Sequence, residues 1–173
     1  NKLAIVGPNE ELVSRGEVLS KANKLTHALR DLGLKKFDTV AVVLPNSVEY
    51  FVVYMACLQA GFYLVPINWH LAGPEIAYIL EDSEAKAFIA SGKNPDMEKA
   101  CINAVSEISF DKKGCITIDE LEGFRHIDDF TKSMPDENPH DRSAGQVMNY
   151  TSGTTGKPKG CLLYTSDAAD DGY

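Results

Sequence analysis

Residues 39–47 read Thr-Val-Ala-Val-Val-Leu-Pro-Asn-Ser, a run of apolar and mostly β-branched residues that closes in a turn. A strand covered by helices on both faces shows a continuous apolar run of this kind, because neither of its sides meets water. Pro45 ends the run, and the side chain of Asn46 or Ser47 is suited to accept a hydrogen bond at the start of a helix. The segment therefore predicts a buried parallel strand that leads directly into a helix.

The chain continues this alternation of strand and helix on both sides of the segment. Upstream, apolar residues recur at helical spacing over residues 18–32, and Gly33 stands where a helix end is expected. Downstream, the predicted helix ends at Gly61, and further helices begin at Pro74 and Pro95. Other strands are predicted at residues 2–6, 62–66, 87–90, 115–118 and 146–151. This order predicts an α/β fold with βαβ crossovers and a mostly parallel sheet.

The charge and cysteine content exclude two classes of site. The 173 residues carry 17 Lys and Arg against 25 Asp and Glu, a net charge of -8 that repels polyanions, so we expect no nucleic-acid partner. The four cysteines are far apart in the sequence and form no zinc-binding pattern with the histidines. Such isolated cysteines are typical of reduced thiols in an intracellular protein.

One apolar segment, residues 50–67, has nearly the length of a membrane span. Gly61 and Pro66 interrupt it, and about 20 apolar residues are needed to cross a bilayer. A buried helix followed by a buried strand is the better interpretation, so we predict no transmembrane segment. The first residues lack the apolar run and the cleavage context of a signal peptide. We therefore expect an intracellular, cytoplasmic protein, and peripheral association with a membrane stays open.

The segment most informative about function is residues 150–160, Tyr-Thr-Ser-Gly-Thr-Thr-Gly-Lys-Pro-Lys-Gly, which follows a predicted strand. Its glycines let the backbone come close to a ligand and point successive N–H groups at one anion. Its hydroxyl groups add donors, and its two lysines add the positive charge that attracts a polyphosphate. The segment therefore predicts a phosphate-binding loop, and a flexible polar surface loop is the alternative.

This loop is not the P-loop of nucleotide-binding ATPases. A P-loop has four residues between its glycines and ends in Gly-Lys-Ser or Gly-Lys-Thr. Here Gly153 and Gly156 enclose two residues, and Pro158 follows Lys157 and removes a backbone donor. Phosphates would be held here in some other way than at a P-loop helix.

Residues 150–160 closely resemble the phosphate-binding signature of adenylate-forming enzymes, a superfamily that includes acyl-CoA synthetases, coumarate ligases, luciferases and the adenylation domains of peptide synthetases. The resemblance covers about residues 12–160, and the upstream part is similar to the N-terminal subdomain of these enzymes. Residues 68–71, Asn-Trp-His-Leu, are more similar to acyl-CoA synthetases than to amino-acid adenylation domains. The resemblance thus implies an incomplete N-terminal subdomain of an adenylate-forming enzyme.

What the resemblance implies about function is an ATP-dependent acid–CoA ligase. A carboxylic acid, expected to be a fatty acid, attacks the α-phosphate of ATP to give an acyl-adenylate, and the thiol of coenzyme A then displaces AMP. By the same resemblance, the ATP phosphates would contact Thr151, Ser152, Gly153, Thr154, Thr155, Gly156, Lys157 and Lys159. Thr151 would also help to bind Mg²⁺. The expected cofactors are ATP, Mg²⁺ and coenzyme A.

The remaining machinery of such an enzyme is expected downstream of these residues. It comprises an adenine-binding aromatic segment, a glutamate that binds Mg²⁺, an aspartate that binds ribose and a catalytic lysine. We therefore predict that the 173 residues hold no catalytic residue and are inactive by themselves. Two alternatives stay open: another adenylate-forming enzyme, acting on an aromatic acid or an amino acid, and a noncatalytic module that binds a nucleotide or phosphate.

The resemblance stops after Gly160. Residues 161–170, Cys-Leu-Leu-Tyr-Thr-Ser-Asp-Ala-Ala-Asp, instead match the translation of a transposase adaptor used in sequencing libraries. We therefore predict two parts, a partial AMP-binding domain in residues 1–160 and a non-native, adaptor-derived tail in residues 161–173. A divergent native tail is the alternative, and sequencing of the genomic locus decides between the two.

Overall fold

The computed structural model describes residues 3–8, 10–151 and 157–162, which form an α/β fold. In chain order the elements are β1 (Leu3–Val6), β2 (Leu12–Ser14), α1 (Arg15–Asp31), β3 (Thr39–Val43), α2 (Val48–Ala60), β4 (Tyr63–Pro66), α3 (Gly73–Asp82), β5 (Ala85–Ala90), α4 (Pro95–Glu107), β6 (Cys115–Thr117), β7 (Arg125–His126), α5 (Ile127–Thr131), β8 (Gln146–Thr151) and β9 (Lys159–Leu162). A short 3₁₀ turn, Lys112–Gly114, precedes β6. Helices and strands alternate through most of the chain, as the sequence predicts.

Seven of these strands form one sheet in the order β7-β6-β5-β3-β4-β8-β9. The strands from β7 to β8 run parallel to their neighbours, and β9 pairs antiparallel with β8. The prediction of a mostly parallel sheet with βαβ crossovers is confirmed. The strand predicted at residues 2–6 forms as β1, but it pairs antiparallel with β2 in a separate two-stranded sheet.

β3 lies in the middle of the large sheet, and all five of its residues are buried. Val40 and Val42 pack into the core that α1 and α2 form on one face of the sheet. Ala41 and Val43 pack into the core that α3 and α4 form on the other face. Helices thus cover both faces, which explains the continuous apolar run of residues 40–44.

Single residues define both ends of α2. The Ser47 hydroxyl accepts a hydrogen bond from the Tyr50 N–H at 3.1 Å and caps the first turn. The sequence left Asn46 and Ser47 as alternatives, and the structure assigns the cap to Ser47. The helix ends at Gly61, whose φ of 79° is the left-handed conformation that glycine adopts without strain.

Residues 132–145 lead the chain from α5 to β8 and are attached to α1 on the way. The side-chain amide of Asn23 donates a hydrogen bond to the Asp136 carbonyl oxygen at 2.8 Å. Arg30 forms an ion pair with Asp141 at an N–O distance of 2.6 Å. These contacts bring the chain to the position where β8 pairs with β4 and extends the parallel sheet.

Two predictions concern the organisation of the chain. Within the described residues, no helix is long and apolar enough to cross a membrane, and residues 50–67 belong to α2 and β4 with the turn between them. The predicted boundary at residue 160 falls inside β9, and residues 163–173 lie outside the described part of the chain. The division into residues 1–160 and 161–173 therefore stays a prediction.

Candidate phosphate-binding site

Both ends of the predicted phosphate-binding segment lie in the paired strands of a β-hairpin. β8 ends at Thr151, β9 begins at Lys159, and these two residues are partners across the antiparallel pair. β8 also pairs parallel with β4, so Thr151 stands at the carboxyl end of a strand in the parallel sheet. Open α/β sheets bind their ligands in crevices at this edge.

The structure describes three of the eight predicted phosphate ligands. Thr151, Lys157 and Lys159 are all exposed to solvent, and both lysines stand on the downstream arm of the hairpin. The remaining five lie outside the described residues, and their role stays a prediction: Ser152, Gly153, Thr154, Thr155 and Gly156. The two arms of the hairpin therefore fix both ends of the segment, and the downstream arm carries its two positive charges, Lys157 and Lys159.

Helix α3 contacts both arms of this hairpin. On the downstream arm, the Tyr78 hydroxyl donates a hydrogen bond to the Pro158 carbonyl oxygen at 3.1 Å. On the upstream arm, the Tyr150 hydroxyl donates to the Asp82 carboxylate at 2.8 Å. The Tyr78 hydroxyl also lies 3.3 Å from that carboxylate, so its single hydrogen is shared between two acceptors. Two tyrosines and one aspartate thereby join α3 to the hairpin.

Lys157 lies against the ring of Tyr78. Its Nζ atom is 5.3 Å from the ring centroid, within the distance of about 6 Å over which the face of an aromatic ring attracts a cation. A lysine side chain otherwise samples many rotamers, and this contact restrains it. The ammonium group is therefore held against α3 at the downstream arm of the hairpin.

The pKa values of Tyr78 and Tyr150 are both raised by their surroundings. Burial raises the pKa of Tyr150, and the hydrogen bond to the Asp82 carboxylate and the charge of that group raise it further. The pKa of Tyr78 is also raised, first by loss of solvent and then by the charge of Asp82. Both hydroxyls therefore keep their hydrogens at neutral pH and can donate the hydrogen bonds described above.

Gly160 lies directly across the hairpin from Tyr150. A Cβ atom at this position would stand 2.8 Å from the Met148 sulfur and 3.2 Å from atoms of the Tyr150 ring. Both distances are shorter than ordinary van der Waals contact, so the ring and the sulfur occupy space that only a glycine leaves free. From the sequence, we expect the glycines of this segment to let a ligand come close to the backbone. Gly160 instead leaves room for the side chain of Tyr150.

The sequence alone does not point to Tyr78 or Asp82. They are separated by 80 and 68 positions from the hairpin residues that they contact. On α3 they stand among the polar and half-buried positions that any amphipathic helix has. Their spacing of four residues, which places both on one side of the helix, is the one signal that links them.

A cleft of about 410 Å³ opens at the same edge of the sheet, beyond the ends of β3, β4 and β5. It is lined by Leu44, Pro45, Asn46, Trp69, Lys93, Asn94 and Met97. Lys93 gives the cleft positive charge, and Trp69, with 38% of its surface exposed, gives it an aromatic wall. The sequence singles out Trp69 through its motif, but residues from three strand ends meet only in the folded chain.

A model of the protein family described as AMP-binding enzyme matches residues 1–170. The chain belongs to the AMP-binding enzyme family. The match includes the parallel sheet, α3 and both arms of the hairpin. Membership confirms the resemblance carried by residues 150–160, and it confirms the expectation of an adenylate-forming α/β fold.

Relatives in the AMP-binding family include the long-chain-fatty-acid–CoA ligase FadD13 of Mycobacterium tuberculosis, which is 32% identical over 163 residues, covering 92% of this chain and 31% of that protein. The fatty acid–[acyl-carrier-protein] ligase ScoC of Streptomyces coeruleorubidus is 33% identical over 150 residues, covering 83% and 26%. The crystal structure of the anthranilate CoA ligase AuaEII in complex with anthranoyl-AMP superposes with a TM-score of 0.77 and 26% identity, covering 94% of this chain and 31% of that one. This chain thus spans 31% or less of the length of these relatives.

Thr151 is the predicted Mg²⁺ ligand of this AMP-binding chain. Its exposed hydroxyl lies 3.8 Å from the Cys161 sulfur. Among the described residues, no group of three or more His, Cys, Asp or Glu could hold a metal ion. Mg²⁺ in nucleotide sites takes one or two protein oxygens, substrate phosphates and several waters. A threonine hydroxyl beside a triphosphate fits this mode of binding, so Thr151 stays a predicted ligand.

Proposed function

We propose that this chain is the phosphate-binding, N-terminal part of an ATP-dependent acid–CoA ligase. The position of the hairpin carries the proposal, because it joins Thr151 to Lys159 at the carboxyl edge of a parallel sheet in a chain of the AMP-binding family. In this proposal, Lys157 and Lys159 balance the charge of the triphosphate. The hydroxyl and N–H groups of residues 151–156 donate hydrogen bonds to its oxygens.

The reaction proposed for the parent enzyme has two steps. A carboxylate oxygen of the acid attacks the α-phosphorus of ATP, the bond to pyrophosphate breaks, and an acyl-adenylate forms. The sulfur of coenzyme A then attacks the acyl carbon, and AMP leaves. The residues of this chain would act in the first step, because they hold the departing pyrophosphate and balance the charge that develops on it. Mg²⁺, when bound, adds positive charge at the same phosphates.

A fatty acid is the substrate that we propose. FadD13 and ScoC are both named for fatty acids, and residues 68–71 resemble the corresponding segment of acyl-CoA synthetases. An aromatic acid is the second candidate, because the structurally similar AuaEII is named an anthranilate CoA ligase. Since ATP and coenzyme A are intracellular metabolites, the proposal places the enzyme inside the cell.

Binding of ATP and of pyrophosphate tests the phosphate site, and Lys157→Ala is the informative variant. Loss of a cation that meets the phosphates should weaken binding about tenfold, because a hydrogen bond from a charged donor is lost. Lys21→Ala is the control, since it removes the same charge from an exposed position on α1, which packs on the opposite face of the sheet from α3. Isothermal titration calorimetry measures both variants. An equal loss in both, or no binding by the unsubstituted chain, would contradict the proposal.

A second experiment separates catalysis from binding. We propose that this chain binds ATP without turnover and that the intact gene product exchanges pyrophosphate into ATP only when an acid is present. A panel of fatty and aromatic acids in this exchange assay identifies the substrate class. An intact product that binds ATP and exchanges with none of the acids would favour the noncatalytic nucleotide-binding module.

A further inference from the structure

Helix α3 contacts the predicted phosphate-binding segment, residues 150–160, in both its upstream and its downstream half. Tyr150, near the start of that segment, is bonded to Asp82, whereas Lys157 and Pro158, in its downstream half, contact Tyr78. Tyr78 and Asp82 are four residues apart and therefore share one side of α3. One side of a single helix thus meets both arms of the hairpin.

The polar groups that make these contacts are not needed to bury α3. The helix packs on the sheet through the fully buried residues Ile76, Ala77, Ile79 and Leu80. The ring of Tyr78 packs at the edge of that core, but its hydroxyl and the exposed Asp82 carboxylate bury no apolar surface. These two polar groups form hydrogen bonds with the hairpin instead. Their role is therefore linked to the phosphate binding proposed for the hairpin.

A polyphosphate site benefits from donors that are held before the ligand arrives, because ordering them during binding costs free energy. A lysine is the hardest of these groups to hold, since its side chain has many rotamers. The Tyr78 ring attracts the Lys157 ammonium group, and the Tyr78 hydroxyl bonds to the carbonyl of the next residue, Pro158. Tyr78 therefore restrains a side chain and the backbone together at the end of the segment.

We propose that Tyr78 is a positioning residue for the phosphates of the nucleotide, acting through Lys157 and Pro158, while Asp82 and Tyr150 hold the opposite arm of the hairpin. The inference rests on the proposed function, since it concerns the placement of a lysine that meets those phosphates. Tyr78 itself does not touch the ligand in this arrangement.

Two substitutions separate the hydroxyl of Tyr78 from its ring. Tyr78→Phe removes the hydrogen bond to Pro158 and keeps the ring, so we expect pyrophosphate to bind the 173-residue chain about two- to tenfold more weakly. Tyr78→Leu also removes the ring beneath Lys157, and we expect a further loss of about two- to fivefold. Isothermal titration calorimetry with inorganic pyrophosphate measures both effects, and ATP is titrated in parallel.

A Lys157→Ala background distinguishes positioning from a general structural effect. If the ring acts through the ammonium group, the Phe and Leu variants of Tyr78 will bind pyrophosphate equally once Lys157 is replaced. A merely structural role would preserve their difference in both backgrounds. Tyr54→Phe, on α2 at the opposite face of the sheet, is the control and should bind like the unsubstituted chain. Circular dichroism verifies that each variant is folded.

The outcomes separate this inference from the function on which it rests. A graded loss from Tyr through Phe to Leu, whose last step disappears without Lys157, supports the positioning role. If Lys157→Ala weakens binding and the Tyr78 variants do not, or if the effect of the ring persists without Lys157, the positioning role is wrong and the phosphate site remains. If the unsubstituted chain binds neither pyrophosphate nor ATP, the proposed function fails and the inference fails with it.

Discussion

Gly160 illustrates what one residue contributes to the geometry of the hairpin. Because it has no side chain, the ring of Tyr150 lies across the strand pair, and the hydroxyl of that ring reaches Asp82 on α3. The bond between Tyr150 and Asp82 therefore depends on the residue that stands opposite in β9. Its contribution is visible only when the pairing of β8 with β9 is known.

Replacing Gly160 by alanine should lower the free energy of unfolding by about 1 kcal/mol, because the new methyl group would stand 3.2 Å from the Tyr150 ring and would displace the flexible Met148 side chain. Cys161→Ala is the matched control, since Cys161 is the exposed neighbour in the same strand, and it should change that free energy by less than about 0.5 kcal/mol. Urea unfolding measures both variants. Equal effects of the two substitutions would show that Gly160 has no special packing role.

At the scale of the elements, α1, α2 and α4 begin with the Ser or Asn side-chain caps that helix starts favour. Ser14 and Glu17 form a reciprocal capping box at the start of α1, with hydrogen bonds of 2.8 and 3.3 Å. At the start of α4, the Asn94 side chain accepts a hydrogen bond from the Asp96 N–H at 2.9 Å. These bonds join residues two or three positions apart, so the local sequence is sufficient to predict where such helices begin.

Ser47→Ala should reduce the free energy of unfolding by about 1 kcal/mol, the usual cost of removing a side-chain cap. Asn46→Ala should leave it nearly unchanged, because the Asn46 side chain does not cap α2. The two variants are a matched comparison, since they replace adjacent polar residues of one turn. Urea unfolding measures the free energy of unfolding of both. A larger loss for Asn46→Ala would mean that Asn46 provides the cap in solution.

Some elements could not be predicted because they are too short to show a periodicity. β2, β7 and α5 have three, two and five residues, and a period of 3.6 needs a window of about 11 residues to be recognised. β7 exists because β6 offers it a partner strand. α5 exists because Ile127 and Phe130 find room in the core beside α1. Tertiary packing, rather than local preference, determines these elements.

At the scale of the whole molecule, the fold divides the cysteines into three buried thiols and one exposed thiol. Cys57, Cys101 and Cys115 are buried, and Cys161 is exposed. Burial raises the pKa of Cys101 to about 12 and that of Cys115 to about 11, and it raises the pKa of Cys57 as well. A thiol with a raised pKa is protonated at pH 8, and the protonated form is not the nucleophile.

We therefore expect one thiol per chain to react with a disulfide reagent at pH 8 in the folded protein, and four after unfolding in urea. Cys161→Ala should reduce the count in the folded protein to zero, which identifies the reactive thiol. The absorbance of the released thiolate measures the count. Rapid reaction of more than one thiol in the folded chain would contradict the burial of the other three.

The local sequence was sufficient to predict the alternation of helices and parallel strands, the end of α2 at Gly61 and the interest of residues 150–160, because each depends on residues that are close together along the chain. The family resemblance needed only the same contiguous signature. Tertiary structure alone decided three other features. These are the contacts of α3 with the hairpin, the packing of Tyr150 against Gly160 and the cleft beside Trp69. They join residues up to 80 positions apart, and such contacts form only after the order of the strands and their register have brought those residues to one edge of the sheet.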